Sequence, residues 1–196
     1  LEFARPDRGL FVPVKNFPLD LLLVQAIDVP NIVTEERWQV QVGITGEDFV
    51  LEQSWPGKRM DLKFKKIIPG FKPSSLVLAV REDSTVQSLE ELNGSILATK
   101  YPNLTRGFFK ARNLVVETVA LAGSLEIAPI LNPELAGVVD VTQTGITLKQ
   151  NQMRVLREIL ECSVMLIERS NIIGKEREIL EVLKEKIKSE LKQIEE

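Results

Sequence analysis

Short apolar runs separated by polar turns set the rhythm of this chain. Residues 19–26 form an apolar run of strand length, and its near-continuity predicts a strand covered on both faces. Residues 10–14, 40–44, 76–80, 96–98, 115–121, 137–141 and 164–167 predict further strands. Between them lie stretches with helical spacing. Asp28 reads as an N-cap with Pro30 in the first turn of a helix through about residue 37. Val86, Leu89 and Leu92 predict a helix capped by Ser84 or Thr85 and stopped at Asn93-Gly94. Asn103 reads as the cap of a helix through residue 111, and Gly123-Ser124 opens another over 125–130. A helix is predicted after Leu148, with Met153, Leu156, Ile159 and Leu160 on one face. Residues 54–72 read as a basic loop or ribbon. This alternation implies an α/β fold with parallel sheets. After Gly174 a charged helix runs to the end, its Leu180, Leu183, Ile187, Leu191 and Ile194 recurring every three or four residues. The ordinary reading of that seam is a helix packed on its own domain, the other being an intersubunit contact.

Composition narrows the chemistry. At 196 residues the chain fits one large domain or two small lobes. A net charge of −3 argues against a bulk electrostatic nucleic-acid binder, so an anionic ligand needs a local site. There is no histidine, which excludes Ser-His-Asp and Cys-His nucleophile pairs and imidazole metal clusters. Carboxylates, hydroxyls, Lys, Arg, backbone amides or an oxygen-held metal remain. The single cysteine, Cys162, reads as a buried thiol and fits a reducing, cytoplasmic setting. Residues 17–32, the most apolar region, are broken by Asp20, Asp28 and two prolines, so no membrane span is expected.

One turn stands out as candidate chemistry. The strand over 137–141 delivers Asp140 into Thr142-Gln143-Thr144-Gly145-Ile146-Thr147. Glycine lets the backbone turn sharply beside an anion while threonine hydroxyls add donors, which is how a phosphate cradle is built. Thr-Gly turns also close ordinary strand-helix joins. Residues 43–46, at a strand's carboxyl end, are a second candidate ligand edge.

Four segments then match one family in order and spacing. They are Val42-Gly43-Ile44-Thr45-Gly46-Glu47-Asp48, Ala98-Thr99-Lys100-Tyr101-Pro102-Asn103-Leu104-Thr105, Ala122-Gly123-Ser124-Leu125-Glu126-Ile127-Ala128-Pro129, and Asp140-Val141-Thr142-Gln143-Thr144-Gly145-Ile146-Thr147-Leu148. Together they resemble ATP phosphoribosyltransferase, and the chain's end soon after the strand over 163–167 resembles the short-form catalytic subunit. The resemblance implies a two-lobed, periplasmic-binding-protein-like (type II) α/β fold with the active site in the interlobe cleft. Residues 1–83 with 163–196 would form the first lobe and 84–162 the second. It implies transfer of a phosphoribosyl group from phosphoribosyl pyrophosphate to N1 of ATP, the first step of histidine biosynthesis, with Mg2+ on the diphosphate. The adenine nitrogen brings its own lone pair, so a chain without histidine suits such a reaction; positioning and charge stabilisation are what the protein must supply.

By that resemblance Thr142, Gln143, Thr144, Gly145, Ile146 and Thr147 would cradle the ribose 5-phosphate. Gly123 and Ser124 would line the same pocket, and Glu126 and Asp140 would face the ribose hydroxyls or Mg2+. Gly43, Thr45, Gly46, Lys100 and Tyr101 would meet the nucleotide, and Arg8 would lie near the reacting diphosphate. The resemblance further implies a homodimer assembling with a regulatory subunit similar to a histidyl-tRNA synthetase, and no nucleic-acid or membrane partner. Family members usually begin with a strand and a Pro-Lys-Gly-Arg turn, and this chain begins past both. Gln41 and Gln25 stand where the family commonly has Asp and Arg. The phosphoribosyl half of the site is therefore more completely represented than the ATP half. Two rivals follow: a non-catalytic paralogue that keeps the phosphoribosyl site, and a transport-type binding protein of the same topology.

Overall fold

The computed structural model describes residues 10–54, 62–66 and 74–195. In chain order the elements are β1 (Phe11–Pro13), β2 (Asp20–Leu22), α1 (Val29–Thr34), β3 (Val42–Gly46), α2 (Glu47–Ser54), β4 (Leu62–Lys66), β5 (Ser74–Arg81), β6 (Ile96–Thr99), α3 (Pro102–Lys110), β7 (Glu117–Ala120), α4 (Ala128–Leu131), β8 (Leu135–Thr142), α5 (Ile146–Gln150), β9 (Met153–Cys162), β10 (Val164–Arg169) and α6 (Gly174–Glu195). They fall into two compact units. One comprises Leu1–Thr45, Asp61–Gly70 and Met165–Glu196, the other Gly46–Met60 and Phe71–Val164.

The second unit is built on a five-stranded sheet in the order β7-β6-β8-β5-β9. Its most continuously buried strand is β5, where Leu76, Val77, Leu78, Ala79 and Val80 are all at most 4% exposed. Five consecutive buried positions mean that both faces of the sheet are covered, because side chains alternate between faces. Leu76 and Leu78 join a core with Leu92, Leu97, Phe109 and Val139, while Val77 and Ala79 join one with Ala98, Leu125, Val138 and Leu148. The sheet is mixed, which corrects the expectation of parallel sheets: β6 runs parallel to β7 and β8, whereas β5 is antiparallel to both β8 and β9. The sequence division put residues 74–83 in the first lobe, yet β5 pairs on both edges within this second unit.

Two predicted helices are replaced. Residues 153–162 are the strand β9, not a helix. Its pairing with β5 skips a residue at two places, so that Leu156 and Ile159 are extra residues of β-bulges. Met153 joins the core of Val77 and Ala79, whereas Leu156, Ile159 and Leu160 pack against that of Leu76 and Leu78, so the helical spacing of the four reflects two bulges and both faces of a strand. Residues 86–92 form only a single 3-10 turn, Glu90–Leu92. Ser84 Oγ accepts the amide of Val86, and Glu91 Oε1 accepts those of Gln87 and Ser88. These side-chain bonds satisfy backbone donors that a helix would have used.

The first unit holds a three-stranded sheet, β3-β10-β4, and the antiparallel ribbon β1-β2. The run over 19–26 is not a covered strand: β2 has three residues, its only partner among the described residues is β1, and Leu23 and Val24 are at least 40% exposed. Helix α1 stops at Thr34, a 3-10 turn Glu36–Trp38 follows, and Gln39 takes a left-handed conformation. Arg169 on β10 donates to the carbonyls of Val33 and Glu35, closing the carboxyl end of α1. Helix α6 packs within its own unit, Leu180 and Leu183 against Ile172 with Phe17, Leu19, Val42 and Ile187 around them. Among the described residues no helix is long and apolar enough to cross a membrane.

Candidate active site

Strand β8 carries the site. Its interior residues Val138 and Val139 are buried, and at the strand's end Asp140 emerges half-buried, its side chain 21% exposed. One carboxylate oxygen accepts the amide of Val141 at 2.8 Å, and the other lies 3.7 Å from Lys100 Nζ. Burial pushes the Asp140 carboxyl above its ordinary range, the Val141 amide and the Lys100 ammonium oppose that, and the charge of Glu126 adds to it. Asp140, Lys100 and Glu126 thus form one electrostatic group, assembled from β8, the end of β6 and the 3-10 turn Leu125–Ile127.

Beyond Asp140 the predicted turn forms. Gly145 adopts φ 69°, a left-handed conformation that glycine takes without a Cβ penalty. Thr142 Oγ1 accepts the Gly145 amide at 2.9 Å, and Thr144 Oγ1 accepts that of Ile146 at 3.4 Å. Each hydroxyl keeps its own proton as a donor. Gln143, Thr144, Ile146 and Thr147 are exposed, while Leu148 anchors the turn in the core. Gly123 is exposed, and Ser124 is left-handed at φ 53°, so the second predicted segment also reaches solvent through a sharp turn.

The nucleotide-side expectations are distributed differently. Lys100 belongs with Asp140. Tyr101 is only 2% exposed and donates its phenolic proton to Asp48 Oδ2 at 2.6 Å, so its hydroxyl faces inward. Thr45 is buried and donates to the carbonyl of Ala26 at 2.6 Å. At Gly43 a Cβ would fall 2.4 Å from Val29 Cγ1 and 2.8 Å from Val33 Cγ2, so this glycine serves the packing of α1 on β3. At Gly46 a Cβ would meet Asp48 Oδ1 at 2.1 Å. Gly43 and Thr45 lie in the first unit, and Gly46 in the second. Arg8 lies outside the described residues.

Sequence reasoning passed over α2. Its Asp48 and Glu52, one helical turn apart and 5% and 6% exposed, face the segment after Lys100. Glu52 accepts the amides of Asn103 and Leu104, one on each oxygen and both at 2.9 Å. It therefore caps α3, the role expected of Asn103, whose own Nδ2 donates to the carbonyl of Glu52. The available signal was a pair of acidic residues at i and i+4 in a helix otherwise carrying Phe49, Val50 and Leu51. Cys162 is buried as expected, and burial pushes its thiol up to about 12.

Fold and site together define a two-unit α/β protein of the periplasmic-binding type, with a turn of threonines and glycine at the end of β8. A substrate-binding protein of an amino-acid ABC transporter shares this fold, with TM-score 0.59 at 20% identity over 88% of this chain and 73% of that one. The particular family is settled by sequence: the HisG profile, ATP phosphoribosyltransferase, matches residues 25–189, and the chain belongs to that family. An ATP phosphoribosyltransferase of Methanopyrus kandleri is 39% identical over 150 residues, 76% of this chain and 50% of that protein. Among solved structures, the ATP phosphoribosyl transferase (HisG:HisZ) complex from Thermotoga maritima contains a chain with TM-score 0.79 and 25% identity, covering 98% of this chain and 88% of that one. The chain spans 50–62% of the length of the curated relatives it matches.

Proposed function

We propose that this chain binds phosphoribosyl pyrophosphate and, as an ATP phosphoribosyltransferase, transfers its phosphoribosyl group to N1 of ATP with release of pyrophosphate. The observation that carries this reading is the pairing of Asp140 with Lys100, with the charge of Glu126 acting on Asp140, on the strand that runs into the Thr142–Thr147 turn of a chain of the HisG family. The turn suits a terminal phosphate: the Thr142 and Thr144 hydroxyls, which accept backbone amides, each retain a proton for an anion, and Gly145 allows close backbone approach. Lys100 supplies positive charge where a diphosphate would build negative charge as it leaves. Asp140 accepts from ribose hydroxyls.

The same oxygens fit a divalent cation. Mg2+ is held by one or two carboxylates together with substrate phosphates, not by an all-protein cage. Glu126 and Asp140 provide two carboxylates, and among the described residues no group of three or more His, Cys, Asp or Glu side chains is arranged to hold a metal ion alone. When bound, Mg2+ would neutralise charge on the departing pyrophosphate.

The relative from Thermotoga maritima is a HisG:HisZ complex, which supports assembly of this chain with a HisZ-like partner. To that assembly the proposal adds a homodimer of this chain, a partner similar to a histidyl-tRNA synthetase and a cytoplasmic setting. Calorimetry with phosphoribosyl pyrophosphate and Mg2+ tests the binding step. The expected result is a saturable heat lost in Asp140→Ala and weakened in Thr144→Ala; unchanged affinity in both would sink the reading. Phosphoribosyl-ATP absorbance, with and without the partner, tests turnover, and binding without product under either condition would leave the non-catalytic paralogue instead.

A further inference from the structure

We infer that Glu52 is a positioning residue that sets Lys100 against Asp140 by clamping the first turn of α3, an inference that rests on the phosphoribosyl reading of the site. The chain from Thr99 to Leu104 is held from two sides. On the sheet side, Thr99 Oγ1 donates to the carbonyl of Val139 at 2.9 Å and accepts the amide of Tyr101 at 2.8 Å. That ties the segment to β8, one residue before Asp140. On the other side stands α2. The Glu52 carboxylate takes two amides of the first turn of α3, the Glu52 carbonyl takes Asn103 Nδ2, and Asp48 takes the phenol of Tyr101.

Within this segment Thr99 and Tyr101 are buried, and the half-buried start of α3 is held by its bonds to Glu52. Lys100 is the one residue whose side chain leaves it toward Asp140, at 29% exposure. A long lysine with this freedom reaches its partner reproducibly only if its backbone is fixed. Glu52 supplies much of that fixation. Both of its oxygens bond to backbone amides, which have no rotamers of their own, and it is 6% exposed, where water cannot replace the bonds. Burial raises the Glu52 carboxyl above its ordinary range, and the amides of Leu104 and Asn103 oppose the rise. A buried carboxylate held this way is expensive for the fold, and a smaller neutral cap would serve α3 alone. The cost is explained if the clamp also serves the site.

A double-mutant cycle on the full chain separates this role from a merely structural one. Phosphoribosyl pyrophosphate affinity is measured with Mg2+ by calorimetry for wild type, Glu52→Ala, Lys100→Ala and the double variant, with urea midpoints to confirm folding. Each single change is expected to weaken binding by roughly tenfold, and the double variant by about the same factor, because both remove the same placed ammonium. Glu52→Gln keeps one acceptor oxygen and is expected to recover part of the affinity; it takes the place of Glu52→Ala should that variant fail to fold. Losses that multiply, or a Glu52 variant that binds as wild type does, would overturn the positioning role while leaving the phosphoribosyl reading intact. A wild-type chain that binds no phosphoribosyl pyrophosphate takes down both.

Discussion

Tyr101 donates its phenolic proton to Asp48 across 2.6 Å, with both residues at most 5% exposed. Burial raises both groups, and the negative charge of Asp48 raises the phenol further, so Tyr101 stays a donor at any working pH. The bond joins α2 to the residue that follows Lys100, and it makes the phenol a structural group.

Tyr101→Phe should therefore destabilise the chain by about 1–3 kcal/mol at neutral pH, the cost of leaving a buried carboxylate short of a donor. Urea unfolding measures it. The loss should shrink in acid, because a protonated Asp48 carries no charge to satisfy. A loss that stays constant down to the ordinary carboxyl value of 3.8 would mean that the phenol's packing, not its bond, is what matters.

The two units should respond oppositely to acid. Burial works to raise Glu168, but hydrogen bonds from Lys184 and Arg177 outweigh it and hold the carboxyl below its ordinary 4.5. A depressed folded value means stability that is present above pH 4.5 and lost as pH falls through the folded value. Asp48, Glu52 and Asp140 have raised values, so their ionisation penalises the folded state, and the penalty disappears as pH falls through those values toward the unfolded ones. Hydrogen exchange from pH about 6 to about 3.5 should show α6 losing protection while β5 and β8 do not. Glu168→Gln should remove most of the acid sensitivity of α6. If α6 in that variant still loosens with the same profile, the Glu168 pairs with Arg177 and Lys184 at 2.8 and 2.6 Å are not its cause.

The Thr142–Thr147 turn and its strand were legible in the sequence because they rest on local chemistry: an apolar run, an aspartate, threonines and a glycine within a dozen positions. The order of β5 in the sheet was not, since strand order is a non-local property and a buried strand reads alike at any position. The strand β9 has the spacing of a helix because its two bulges, and apolar residues on both of its faces, break the simple twofold alternation. The roles of Asp48 and Glu52 were hidden because acidic residues in a short helix usually face water, and only the fold brings α3 against them.

Gly43 tests the packing account of the first unit. Its missing side chain is where Val29 Cγ1 and Val33 Cγ2 sit, so Gly43→Ala should destabilise by about 1–3 kcal/mol through overpacking. Val29→Ala in the same chain should return part of that loss by opening space for the new methyl. Thermal or urea unfolding of the pair gives the answer, and absence of any rescue would place the strain elsewhere than on α1.

Gly145 differs from Gly43 in that space is not the constraint. Apart from its chain neighbours no atom lies within 4 Å of where its Cβ would be, yet its φ of 69° is one that alanine adopts only at a cost of about 1 kcal/mol. Gly145→Ala should lose that amount of stability, or shift the turn to avoid it, and a shifted turn breaks the bond from the Gly145 amide to Thr142 Oγ1. Gly94 is the matched control: it too has positive φ, at 81°, and open space around its Cβ, but it lies in the turn between Leu92 and β6. Gly94→Ala should cost similar stability and leave phosphoribosyl pyrophosphate affinity alone, whereas Gly145→Ala should weaken that affinity several-fold or more. Equal effects of the two substitutions on affinity would mean that the geometry of the Thr142–Thr147 turn is not what holds the phosphate.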